Sequence, residues 1–304
     1  MRTDESLHKA IDYFNRAIEE DPNDARSYAG LAQCYIVLPM LTAIRQTETQ
    51  PKAREAAQRA LSLDASLPEA HLVLAEVEFY QNSDFSAAEQ EFRKTLDLNP
   101  NYATGHQWYG EFLSLVGRSH EAISELEQAV ALDPLSAIVH HQAGQTFQQA
   151  RQYDRAIQEY QAALRLNPNL YVTYESMYWA YRRQGNFSAA AKAMQGASPF
   201  WQPEQGMGPI INRLASAYAN GGRTGFLRQS VEMHKHFRDA TVDLARDYAD
   251  LGEKARSYQE LDLAFASRDV LLLLILVDPE FDSMRSEARF RDLVRQISPT
   301  LVTN

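Results

Sequence analysis

Three histidines, His71, His106 and His140, recur along the chain at intervals of 35 and 34 residues. Imidazoles brought together by a folded array could hold a metal or sense pH. Equivalent atoms of packed helices nevertheless lie about 10 Å apart, too far for shared coordination at about 2 Å. Packing between helices is therefore their expected role. His120-Glu121 opens like the zinc-protease pattern His-Glu-x-x-His, but Ser124 stands where the second histidine must be to chelate from one helix face. Gly206-Met207-Gly208 runs on into Pro209-Ile210-Ile211, without the third glycine of a nucleotide cradle, and no Gly-x-Ser-x-Gly elbow occurs. Cys34, the single cysteine, has no base partner in its neighbourhood and reads as a small helix-face residue. These residues predict a chain that is not an enzyme and takes neither metal nor cofactor. The remaining constellation is Trp179 with Arg182 and Arg183, a residue combination enriched at binding hot spots when it shares one helix face. A competing account places Trp179 between helices as filler.

Composition narrows what could position such residues. The 304 residues are 45% hydrophobic and 23% charged, with only 13 glycines and 12 prolines, which favours helices over sheet, collagen or disorder. The net charge of −10 is the wrong sign for neutralising phosphates, so no direct nucleic-acid partner is expected. One cysteine rules out an internal disulfide framework. The longest apolar run, Val270 to Val277, falls far short of the roughly 18 residues that span a bilayer, and the polar start from Arg2 to Glu5 does not read as a signal peptide. The expected location is cytoplasmic by default, or extracytoplasmic if the chain is a piece of a membrane-anchored regulator.

The elements follow from a repeat. Asn99-Pro100, Asp133-Pro134 and Asn167-Pro168 stand 34 residues apart, each closing a segment of two helix-like stretches around a turn. In the unit from Ala103 to Pro134, Gly110 marks a close helix approach and Ala122 and Ala129 line the second helix. The unit from Ala137 to Pro168 repeats this with Gly144, Phe147, Ala156, Tyr160 and Ala163.

This pattern resembles the tetratricopeptide repeat, which implies an all-α, right-handed superhelical solenoid of antiparallel helix pairs. The register predicts a half repeat over 1–24, five units over 25–199 with a long loop at 39–51, two degenerate helix pairs over 200–269 and a C-terminal cap over 270–304. Tyr178 occupies the small-residue position of its unit, predicting looser or re-angled packing there. Pro199-Phe200-Trp201-Gln202-Pro203 is expected to interrupt helix. The half unit at the start reads as a piece of a longer protein or as an unusual cap. The segments Ser6 to Leu31 and Val277 to Leu293 resemble the C-terminal repeat region of large bacterial regulators, fused to winged-helix, adenylate-cyclase or serine/threonine-kinase modules.

In the family, first helices line a concave groove. That resemblance selects Glu76, Phe79, Tyr80, Gln107, Glu111, His141, Gln145, Gln148, Glu175, Trp179, Arg182 and Arg183 as groove-facing, with aromatics offering area and glutamines offering adaptable hydrogen bonds to a peptide or protein partner. The family's Lys and Asn carboxylate clamp is not matched, since those positions hold Ala29, Gln33, Gln107, Glu111, His141 and Gln145. The implied role is a non-catalytic interaction scaffold, the sensory or assembly arm of a bacterial regulator. The alternative is a fragment of an enzyme or transcriptional regulator whose active module lies upstream.

Overall fold

Several of the turns between helix pairs are held by a side chain at their first residue. The side-chain oxygens of Asp21, Asp64, Asn99 and Asn167 each accept a hydrogen bond from the backbone N–H two residues on, at 2.9 to 3.1 Å. This holds the chain in a turn that a helix cannot continue through. The next helix is then started by a cap such as Asp24 on Arg26 N or Ser136 on Val139 N.

The computed structural model describes residues 4–42, 44–82, 84–200, 207–237, 240–267 and 269–297. No strand occurs among them. The chain divides into two units, Met1–Tyr109 and Gly110–Asn304. The first unit holds α1 (Asp4–Glu20), α2 (Ala25–Leu41), α3 (Gln46–Leu63), α4 (Pro68–Val77), α5 (Phe85–Leu98) and the first half of α6 (Ala103–Leu115). The second holds the rest of α6, then α7 (Ser119–Leu132), α8 (Ala137–Gln149), α9 (Tyr153–Leu166), α10 (Tyr171–Arg183) and α11 (Phe187–Ala197). It continues with α12 (Met207–His234), bent at Gly222, then α13 (Thr241–Asp250), α14 (Lys254–Ser267) and α15 (Ala288–Ile297). The second helices α5, α7, α9 and α11 begin 34 residues apart. No helix among the described residues is long and apolar enough to cross a membrane.

The repeat glycines are seats for large side chains. A Cβ on Gly144 would lie 2.4 Å from the Tyr160 ring, and one on Gly110 would lie 1.7 Å from Leu126 Cδ2. Each seat joins the first helix of a unit to its second. Tyr178 stands at the corresponding place of the next unit. The expected looseness is absent: Tyr178 is fully buried, because its ring extends to Phe226 and its hydroxyl meets Ser230 Oγ at 2.7 Å on α12.

The expected long loop at 39–51 is also corrected. Helix α2 carries Pro39 within its last turn and α3 carries Pro51 within its first turns, leaving only a short connection between Leu41 and Gln46. Each proline lies inside its helix and removes one i→i−4 hydrogen bond there. In the interruption at 199–203, Ser198–Phe200 is a short 3-10 turn, and Trp201 to Pro203 lie outside the described residues, as do residues 1–3 and 298–304.

Two apolar clusters of the described residues lie within the second unit. One runs through the repeats and α12, from Leu126 to Met233, and includes Tyr160, Tyr178, Phe187 and Phe226. The other is made by residues 242–293 alone: Val242, Ala245, Leu261, Leu272, Ile275, Phe281, Met284, Phe290 and Leu293. Within it the apolar tail folds as 3-10 turns over Val270–Leu276 and Pro279–Phe281 before α15.

Candidate functional site

The helix periodicity that suggested a common face on α10 does place Glu175, Trp179, Arg182 and Arg183 together. That face is covered. Trp179 retains 8% exposure and Arg182 4%. The Trp179 ring stacks on His234 with centroids 5.8 Å apart and planes 8° from parallel, while the guanidinium carbons of Arg182 and Arg246 lie 4.5 and 5.0 Å from its centroid. Trp179 is thus packed between helices in this structure.

Arg182 is held from several sides. Its Nη1 donates to Asp247 Oδ1, to Tyr178 Oη at 3.1 Å and to Ser230 Oγ at 3.2 Å, and its Nη2 donates to Asp250 Oδ2 at 2.8 Å. Asp247 also accepts from Ser230 Oγ at 2.8 Å and faces His234 Nδ1 at 2.7 Å. Arg183 grips Glu280 and Asp278, the latter at 2.7 Å. Asp278 is shared with Arg246, whose Nη2 lies 2.6 Å from Oδ2. The amide oxygen of Gln148 faces Arg183 Nη1 at 2.8 Å when its nitrogen is turned to Ser176 O.

These groups titrate in ways set by burial against pairing. Burial pushes the Asp247 carboxyl up, but Arg182 and His234 outweigh it and hold the group below its usual range. The same contest leaves His234 above its ordinary value, because Asp247 overcomes the cost of burying the ring. Glu280 is likewise held well down by Arg183 despite its burial. Burial lifts Glu175 to about 7, with Asp243 adding repulsion. His141, buried and facing Thr173 Oγ1 at 3.1 Å, is pushed down to about 4 by desolvation.

The other groove candidates are dispersed. In the first unit Glu76, Phe79 and Gln107 are buried and Tyr80 is half-buried. Phe79 and Tyr80 lie in a π-helical turn, Glu78–Asn82, that continues α4 and shifts the helical register, bringing Phe79 against Phe85 at 5.5 Å. In the second unit Glu111 accepts from Gln142 Nε2, Gln145 is half-buried, and His141 and Gln148 are buried.

The periodic histidines turn out to be turn fasteners. His71, His106 and His140 each direct Nε2 at the carbonyl oxygen six residues earlier, on Ala65, Pro100 and Pro134, at 2.9 to 3.2 Å. His71 and His140 also face Glu91 and Glu159 at 2.6 Å. Tyr174 does the same job from the next unit, reaching Pro168 O at 3.4 Å. Sequence reading missed Ser230, His234, Asp247, Asp250, Asp278 and Glu280. The one available signal was Asp278-Pro279-Glu280, two carboxylates beside an apolar run that must be buried.

The comparisons with known proteins bear on the repeat and the fold. Tetratricopeptide-repeat models match residues 51–103 and 137–170. The transcriptional regulator HilA of Salmonella typhimurium is 27% identical over 128 residues, 42% of this chain, and the match spans 23% of that protein's length. Among solved structures, the human IFIT1 dimer with PPP-AAAA superposes with a TM-score of 0.57 at 15% identity, covering 86% of this chain and 69% of that one. The APC/C hetero-tetramer Cut9–Hcn1 gives 0.55 at 15% identity, covering 91% and 46%. Pseudomonas aeruginosa pilF gives 0.51 at 22% identity, covering 79% and 96%. These structural likenesses speak to fold. The chain therefore carries tetratricopeptide repeats, and its architecture is the all-α helix-pair fold of that repeat.

Proposed function

We propose that the chain is a non-catalytic interaction scaffold that takes a peptide or protein segment on the first-helix face of its repeats, as the sensory or assembly arm of a bacterial regulator. The observation that carries the scaffold reading is the 34-residue helix-pair array, in register with the two repeat matches. Such arrays offer repeated surface and little enclosed space for chemistry. The regulator reading is supported by the likeness to a transcriptional regulator over 128 residues. The net charge of −10 favours a protein partner over nucleic acid. On the first-helix faces Tyr80, Glu111 and Gln145 keep part of their side chains at the surface.

The test is site-specific photo-crosslinking in the native cell, with a benzophenone amino acid at Tyr80, Gln145 and, as a second-helix control, Glu127. The expected result is one protein captured from Tyr80 or Gln145 and not from Glu127. Equal yields from all three positions would remove the face assignment.

A further inference from the structure

The two apolar cores of the second unit meet across a charged seam whose signs are sorted by side. The repeats and α12 contribute Arg151, Arg182, Arg183 and His234, and residues 241–297 contribute Asp247, Asp250, Asp278, Glu280 and Asp282. The cations on the C-terminal side, Arg246 and Arg285, are spent on that side's own Asp243, Asp278 and Asp282, and Glu175 is the acidic exception on the repeat side, facing Asp243 and His234. A tail that merely sealed the last helix pair would do so with apolar side chains, as α14 and α15 do within their own core. An interface of paired charges resembles instead the contact between two bodies that separate, since apolar residues of similar volume are often at least as stabilising as a buried ion pair.

We propose that residues 241–297 form a clamp that occupies the α10 face in cis, and that the partner chemistry this face accepts is an acidic protein segment, which replaces Asp278 and Glu280 on Arg183. The reading rests on the first-helix face as the partner site. Two geometrical facts support it. The clamp owns a core that stays closed when it moves, with Phe281 and Met284 fully buried among its own residues, and Leu251 is its apolar contact with the repeat core. Its hold on Arg183 is also local in sequence, a carboxylate pair two residues apart beside an aromatic, which is the form a short linear segment can copy. When the clamp leaves, Trp179 loses Arg246 and keeps His234 stacked on it, and Arg182 and Arg183 lose their carboxylate partners, leaving guanidinium groups beside an aromatic edge that complement clustered carboxylates.

The experiment uses the full chain and a fluorescein-labelled peptide of residues 276–283, which carries Asp278, Glu280 and Asp282. Asp278→Asn with Glu280→Gln strips the clamp of its grip and is expected to raise peptide affinity at least tenfold over the unaltered chain. Adding Arg183→Ala should abolish the gain. A folded double variant with no gain, or a gain that survives Arg183→Ala, overturns the proposal. Should the double variant not fold, hydrogen exchange on the unaltered chain decides: residues 241–297 are expected to exchange together and ahead of α8 to α11. Exchange of both only through one common unfolding overturns the clamp. If the clamp fails while crosslinking from Tyr80 or Gln145 succeeds, the partner face stands and only its self-occupancy falls.

Discussion

Arg183 and Glu280, 97 residues apart in sequence, meet as a two-point pair, with Nε to Oε1 at 2.8 Å and Nη2 to Oε2 at 2.9 Å. Both side chains are almost wholly removed from water. A pair of this kind is costly to break on one side and cheap to replace on both. Arg183→Met should therefore destabilise the second unit by about 3 to 5 kcal/mol, with Glu280→Met in the same chain restoring part of the loss. Denaturant unfolding of the two single variants and the double variant measures this; additive losses would refute it.

Asp247 offers a sharper contrast. Asp247→Asn leaves Arg182 and His234 facing a neutral amide in a buried site and should cost about 3 kcal/mol or more. Asp292→Asn removes half of an exposed pair with Arg295 and should cost under about 0.5 kcal/mol. Comparable melting shifts for the two would mean that the seam is wetter than its geometry implies.

Gly144 predicts an overpacking effect. An alanine there must push aside the Tyr160 ring, 2.4 Å from the new carbon, and should cost about 1 to 3 kcal/mol. Tyr160→Leu in the Gly144→Ala background should recover part of that loss, because the seat then holds a smaller occupant. A double variant no better than the worse single one would show that the ring was not the obstacle.

The pH dependence has a definite sign near neutrality. Native Glu175, lifted to about 7 by burial, and native His234, raised by Asp247 over the cost of its burial, both keep protons that the unfolded chain has released. His71 acts in the same sense through its hydrogen bond to Glu91. Stability should therefore fall as pH rises, between about 4.5 and about 7 through Glu175 and from about 6.5 upward through the two histidines. His141, pushed down to about 4, works oppositely and only as pH drops below about 6.5. Thermal scans across that range check the expectation, and Glu175→Gln should flatten the curve. A midpoint that climbs through neutrality would contradict the assignment.

The repeat was legible because its signals are local. Asn99 and Asn167 cap turns two residues away, and Gly144 seats Tyr160 from the same unit. The α10 face was legible as a cluster but not as a covered one, since the partners of Arg182 lie 48 to 68 residues on, at Ser230, Asp247 and Asp250. The repeat period marks equivalent positions and does not say which of them touch. The π-helical turn at Glu78–Asn82 escaped for another reason: one extra residue in a turn alters the facing of Phe79 without changing the residue types that a 3.6-residue pattern reads.

Tyr178 also bears on how the array can change in number. Duplicating the unit that runs from Ala137 to Leu170 would copy the Gly144 seat together with its Tyr160 occupant, so the new unit would arrive with its own lock and key. Duplicating the unit that begins at Tyr171 would instead present a second Tyr178 with no Ser230 opposite it, and a second Arg183 with no Glu280. A further copy of the Ala137 to Leu170 unit would thus leave unmatched only an exposed tie to the tail, Arg151 to Asp282, whereas a copy of the unit from Tyr171 would leave buried groups without partners.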